Sequence, residues 1–255
     1  MARLLGNDRE TMNIGVIAGM QAFKFSGTRI ENLGATEYTL ATIVVDFTGS
    51  VEGFEDDLRK SIKTAVESCR KSPRSDNLLI RVIFFSSSFD GGIREIHGFK
   101  PLSEIDADND YSQCRPGGMT PLNDASFSAV GATNAYAQQL MDNDFLTNGI
   151  IFIITDGYDN ASSTTPSMVK EEIKKAVQGE HIESLISVLI AVNAKEYASY
   201  LKKFKDDAGI DQYIDLGDAT PGKLAKLADF VSQSVSSQSQ SLGTGGPSQS
   251  IAATI

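Results

Sequence analysis

Residues 42–54 read TIVVDFTGSVEGF. A β-branched apolar run stops at Asp46, small hydroxyl and glycine residues follow at once, and the chain then turns charged. Such a run reads as a buried strand, and the residues after it as the turn into a helix. From Phe54 to Cys69 apolar residues recur at helical spacing (Phe54, Leu58, Ile62, Ala65, Val66, Cys69) with charged residues between them. The question is why Asp46, Thr48 and Ser50 stand together at the end of a buried strand. Oxygen-rich clusters at such a place hold a phosphate or a metal ion.

The same alternation runs through the rest of the chain. Strands are expected at Leu40–Val45, Leu78–Phe85, Ile93–Phe99, Ile150–Thr155, Ile182–Val192 and Tyr213–Leu216. Helices are expected at Phe54–Cys69, Leu122–Met141, Pro166–Val177, Lys195–Ala208 and Pro221–Ser234. Strands alternating with helices imply an α/β, doubly wound, Rossmann-like sheet. It would be mostly parallel with helices on both faces, and the short polar strand at Ile93 would be an antiparallel edge. Residues 1–38 fall outside the alternation and read as an N-terminal extension, an extended arm leading into the first central strand. Residues 39–234 form the expected domain. Residues 235–255 are rich in Ser, Gln and Gly and read as a flexible tail with too little apolar surface to order itself.

The bulk properties narrow the function. The chain has 255 residues and a formal net charge of −10. That balance offers no electrostatic footprint for nucleic acid or an anionic membrane. The two cysteines, Cys69 and Cys114, make neither a disulfide framework nor a zinc site. The first fifteen residues, MARLLGNDRETMNIG, lack the apolar core of a signal peptide, and the longest apolar run, GIIFIIT at 149–155, is strand-sized. A cytoplasmic location is the expectation.

Three pieces can share one site. They are Asp46-Phe-Thr48-Gly-Ser50, the glycine loop RPGGMTPLNDA at 115–125, and TDGYDN at 155–160. Each alone has an ordinary use: Thr120 as a helix N-cap, Gly157 as a turn residue. In a sheet of order 3-2-1-4-5-6, ligands bind beyond the carboxyl ends of the strands where the order reverses, between the first and fourth strands. Asp46 and Asp156 end those two strands, and the loop with Thr120 enters the helix that feeds the fourth. Asp46, Thr48, Ser50, Thr120 and Asp156 then converge as oxygen donors without histidine or cysteine. Such a set favours Mg2+, Mn2+ or Ca2+ over zinc.

These motifs, in this order, resemble the metal-ion-dependent adhesion site of von Willebrand factor A domains. The similarity runs from about residue 38 to about residue 230. The usual first motif is Asp-x-Ser-x-Ser; here Thr48 takes the middle position and keeps the hydroxyl. The resemblance implies that the Thr48 and Ser50 hydroxyls ligate the ion directly. It implies that Asp46 and Asp156 hold it directly or through water, and Thr120 directly or through water according to conformation. It also implies a metal-dependent protein-binding module rather than an enzyme, in which a partner's acidic side chain completes the ion's shell. Related intracellular members work with AAA+ ATPases or in multi-protein systems.

Two other readings compete. DFTGS and TDGYDN also resemble motifs of haloacid dehalogenase-like phosphoryl-transfer enzymes, in which the first aspartate is phosphorylated. That chemistry needs a cation besides the metal, and no lysine or arginine lies between Pro121 and Thr155. The soluble phosphatases carry a second aspartate where this chain has Thr48. The other reading is a structural assembly subunit with a vestigial metal site. Three further features read as ordinary surface or core: the lone His97, the acidic loop EIDADND at 104–110, and the polar pair Asp159–Asn160 as an Asx turn or a support for the site.

Overall fold

The apolar run that ends at Asp46 is buried along its whole length apart from its first residue, as a central parallel strand covered on both faces must be. The computed structural model describes residues 12–17, 23–112, 114–179 and 181–246. Its strands are β1 (Met12–Val16), β2 (Lys24–Thr28), β3 (Glu37–Asp46), β4 (Leu78–Phe85), β5 (Ile93–Pro101), β6 (Leu146–Thr155), β7 (Leu185–Val192) and β8 (Gln212–Gly217). They form one eight-stranded sheet in the order β1-β2-β5-β4-β3-β6-β7-β8. From β5 to β8 this is the expected 3-2-1-4-5-6 order, and the pairs β3–β4, β3–β6, β6–β7 and β7–β8 are parallel. β5 runs antiparallel to β4, as expected of the strand at Ile93.

Period-two alternation sends the side chains of each strand to two cores. Ala41, Ile43 and Val45 meet helices α1 (Glu55–Cys69) and α5 (Pro221–Thr244) through Leu58, Ile62, Leu227 and Val231. Leu40 and Val44 meet the other three helices on the opposite face: α2 (Leu122–Met141), α3 (Pro166–Gln178) and α4 (Ala198–Ala208). Pro166 and Pro221 each stand at a first helical turn, behind a threonine whose side chain accepts from the backbone N–H three residues on.

The N-terminal extension differs from the expected arm. Within residues 1–38, β1 and β2 form an antiparallel hairpin that extends the sheet past β5, so β5 is not its edge. Backbone pairing of β2 with β5 is limited to Gly27 opposite Phe99. Side chains supply the rest of the join. Glu95 accepts from Ser26 N (2.9 Å) and Ser26 Oγ (2.6 Å), and Tyr136 Oη donates to Thr28 O (2.7 Å). Glu95 also pairs with Arg81 at 2.7 Å, where both side chains are buried. The hairpin packs on α2, whose small residues permit the approach: a Cβ on Gly131 would sit 2.4 Å from Ile17 Cγ2.

The tail expected from residue 235 starts inside a helix, because α5 continues to Thr244. Composition hides its inner face. Val235, Gln238 and Ser239 are buried, Gln238 O accepts from Asn148 Nδ2 (2.8 Å), and Ser239 Oγ accepts from Arg74 Nε (3.1 Å). The last part of the expected tail, residues 247–255, lies outside the described residues. Truncation after Val235 is expected to destabilise the fold, the stranded Asn148 amide alone costing about 1–3 kcal/mol. Urea denaturation of the truncated and full chains measures it.

His97 sits in the core, its Nε2 3.1 Å from Tyr111 Oη and its Nδ1 3.1 Å from Gly98 O. Burial, with help from the nearby Lys100 charge, lowers its pKa from 6.5 to about 3. Below pH 6.5 the unfolded chain therefore takes up a proton that the folded chain refuses, and stability falls as pH drops from there toward 3. Between pH 7 and pH 5 His97→Gln is expected to lose about 2 kcal/mol less than wild type, measured by urea denaturation at the two values.

Candidate metal centre

Parallel pairing sets β3 and β6 in register, Val45 opposite Ile154, so Asp46 and Asp156 leave the sheet at the same end. Asp46 is the last residue of β3, and Asp156 follows the last residue of β6. Their side chains are joined through hydroxyls. Thr48 Oγ1 donates to Asp46 Oδ1 (2.6 Å), the Thr48 and Ser50 hydroxyls lie 3.0 Å apart, and Ser50 Oγ donates to Asp156 Oδ1 (2.8 Å). Asp46, Thr48, Thr120 and Asp156 are buried, and Ser50 is exposed.

The glycine loop closes over this chain of hydroxyls. Gly117 N donates to Phe47 O and Gly49 N to Gly118 O, both at 3.2 Å. Gly118 has φ +73, and a Cβ there would meet Ser86 Oγ, Ser87 Oγ and Ser88 N at 2.8 Å, so the loop needs glycine at that point. Thr120 Oγ1 lies 4.0 Å from where a Cβ on Gly157 would stand, which puts it beside the TDG turn. All five expected donors thus gather at the end of β3 and β6.

Thr155, Asn160 and Asp124 support the site. Thr155 Oγ1 donates to Asp46 Oδ2 (2.6 Å), closing the far side of that carboxylate. Asn160 holds Thr120 in a reciprocal pair: Thr120 N donates to Asn160 Oδ1 (2.6 Å) and Asn160 N to Thr120 O (3.0 Å). Asp124 in the first turn of α2 accepts from Ser163 N, Thr164 N and Thr164 Oγ1. It fastens the loop after Asp156 to the helix after Thr120. In sequence, Asp124 shows only as an acid near a helix N-terminus, the ordinary dipole preference. The signal for Asn160 is its place in the polar turn. Asp159 also ties the loop to α2, accepting from Asn123 N (3.2 Å).

Among the described residues, hydroxyls and backbone amides, not lysine or arginine, are the donors to the two carboxylates. Burial pushes the Asp46 carboxyl up from 3.8 to about 7, the Asp156 charge adds to the rise, and hydrogen bonds from Thr155 and Thr48 oppose it. Burial also raises Asp156, against the hydrogen bond from Ser50. Arg59, held over Phe47, is engaged with Asp56 and Cys114 O. Among the described residues no group of three His, Cys, Asp or Glu side chains is placed to hold a metal. An ion here would therefore depend on the hydroxyls as well as the two carboxylates. That all-oxygen donor set, with two carboxyls whose pKa values burial raises, fits a hard divalent cation.

No protein-family model matches the chain, and no curated protein matches it. Solved structures do. The pilus adhesin SpaC from Lactobacillus rhamnosus GG superposes with TM-score 0.61 at 12% identity, over 84% of this chain and 32% of the adhesin. Proximal thread matrix protein 1 from the mussel byssus, in a form with a zinc-occupied MIDAS motif, gives TM-score 0.51 at 16% identity, over 80% of this chain and 47% of that one. This chain thus spans about a third of the adhesin and about half of the thread protein. The vWF domain of the type V pilus tip protein Mfa5 from Porphyromonas gingivalis gives TM-score 0.53 at 10% identity, over 86% of this chain and 99% of that domain. The sheet order, the two helical layers and these superpositions agree: the chain has the fold of a von Willebrand factor A domain.

Proposed function

We propose that this chain is a metal-dependent protein-recognition module, in which Asp46, Thr48, Ser50, Thr120 and Asp156 hold a divalent cation. When bound, the ion supplies a Lewis-acidic anchor for a carboxylate of a partner protein. The observation that carries this reading is the continuous chain from Asp46 through Thr48 and Ser50 to Asp156, beside Thr120. Hydroxyls and backbone amides, not lysine or arginine, are the donors to those carboxylates among the described residues. Mg2+ is the proposed ion, with Mn2+ and Ca2+ as alternatives on the same donor chemistry. The zinc-occupied motif of the thread protein makes Zn2+ the natural comparison.

The module is proposed to act by binding, without phosphatase or ATPase turnover. The stretch from Pro121 to Thr155 has no lysine or arginine to hold a transferred phosphoryl group. The proposed partner is a protein with an accessible acidic side chain, an AAA+ ATPase or another subunit of a multi-protein system. A cytoplasmic location is proposed from the free, buried thiols of Cys69 and Cys114. No helix among the described residues is long and apolar enough to cross a membrane. Titration calorimetry with each of the four ions tests the site. Absence of binding by all of them sinks the reading, and steady phosphate release abolished by Asp46→Asn would replace it with the phosphoryl-transfer alternative.

A further inference from the structure

Few large apolar side chains are exposed among the described residues, and three of them stand around the candidate metal centre. Met119 is 55% exposed, Tyr158 41% and Tyr197 36%. Met119 immediately precedes Thr120, and Tyr158 lies two residues after Asp156. Tyr197 lies in the connection from β7 to α4, at the same end of the sheet. The tyrosines are held in place by one another. Tyr158 sits 5.1 Å from Tyr197 at an interplanar angle of 44°, and 5.9 Å from Tyr200 at 76°. Tyr200 is locked in turn, its hydroxyl accepting from Asp159 N (3.3 Å). Exposed rings in fixed positions lose little entropy on binding and supply large amphipathic area, which is why tyrosine dominates interface hot spots.

Resting on the metal-anchor reading, we infer that the ion and this tyrosine shelf form one two-part recognition surface. Its occupant is an extended partner segment with an acidic residue and an apolar side chain two positions away. Charge complementarity selects the acid. Two carboxylates balance a divalent ion, and the remaining donors are neutral hydroxyls, so a third carboxylate is not repelled at this point of an otherwise acidic chain. The proposed spacing is the shortest one that keeps both side chains of an extended segment on the same face. The Cα atoms of Asp156 and Tyr158, two residues apart, are at most about 7 Å from one another. In an extended segment, residues two apart share a face and lie about 7 Å from one another.

The test uses three synthetic nine-residue peptides in a Ser/Gly background: Glu and Leu two positions apart, Glu and Ser, and Gln and Leu. Binding to wild type, Tyr158→Ser and Tyr197→Ser is measured in Mg2+ and in EDTA, and Mg2+ binding of each protein is measured alone by calorimetry. Wild type in Mg2+ is expected to prefer the Glu/Leu peptide over Glu/Ser by about 10-fold or more. Both tyrosine variants should lose that preference while keeping wild-type Mg2+ affinity. Equal affinity for Glu/Leu and Glu/Ser, or a preference that survives in the tyrosine variants, overturns the shelf and leaves the metal reading intact. Binding that ignores both EDTA and the Gln/Leu change overturns the metal reading and the paired spacing with it. No binding of any peptide overturns the inference as well.

Discussion

Asp46→Asn is expected to abolish divalent-ion binding and, in the same molecule, to stabilise the ion-free protein. The two effects share one cause. Asp46 is fully enclosed beside a second buried carboxyl, and its pKa is raised to about 7. Keeping it ionised at pH 8 without a cation costs on the order of 2–4 kcal/mol. Asparagine removes the charge and keeps an oxygen to accept from Thr48, while the Thr155 hydroxyl can turn to accept from the new amide. Denaturation in EDTA at pH 8 should show the variant more stable, and calorimetry should show no Mg2+ uptake. A variant less stable than wild type in EDTA would mean that the carboxylate is structural. If the partner's carboxylate docks on the ion, loss of the ion should also weaken the complex by about 2–5 kcal/mol.

The second large effect concerns the ion pair between β4 and β5. Glu95→Gln is expected to destabilise the fold by about 3–5 kcal/mol, because it leaves Arg81 buried without a counter-charge. Arg81 is 0% exposed, and among the described residues its two terminal nitrogens have no hydrogen-bond partner. Nearly all its compensation comes from Glu95, with the Phe99 ring 6.0 Å away as a weaker neighbour. Replacing both residues together, Arg81→Met with Glu95→Gln, should recover much of the loss. The double-mutant cycle, read by urea denaturation, separates the pair's coupling from the cost of either change. The same carboxylate holds Ser26, so Glu95→Gln should also raise amide exchange in β2 before the central strands are affected.

The sheet order from β5 to β8 was legible because each central strand is a continuous apolar run and each crossover is a helix with its own period. The candidate site was legible for a related reason. Four of its five candidate donors lie at or just after strand ends, where a change from apolar to hydroxyl and acidic residues is visible in one dimension. The N-terminal hairpin was not, because FKFSGT joins the sheet mainly through side chains far along the chain, Glu95 and Tyr136. The second half of α5 was hidden for the opposite reason. Its serines and glutamines resemble a disordered composition, yet small polar residues allow close contact with α1, and Gln238 and Ser239 find partners in Asn148 and Arg74. Asp124 acts on residues about forty positions away, and nothing local marks such a contact.

The course of α5 gives the molecule a polarity. The helix leaves β8 at the end of the sheet that carries Asp46 and Asp156, and runs back along the sheet until Gly243 meets Arg74. Arg74 also pairs with Glu37, the first residue of β3. Gly246 therefore lies at the pole opposite the candidate metal centre and the tyrosines. A surface to which the protein is coupled through that side therefore has the candidate metal centre facing away from it.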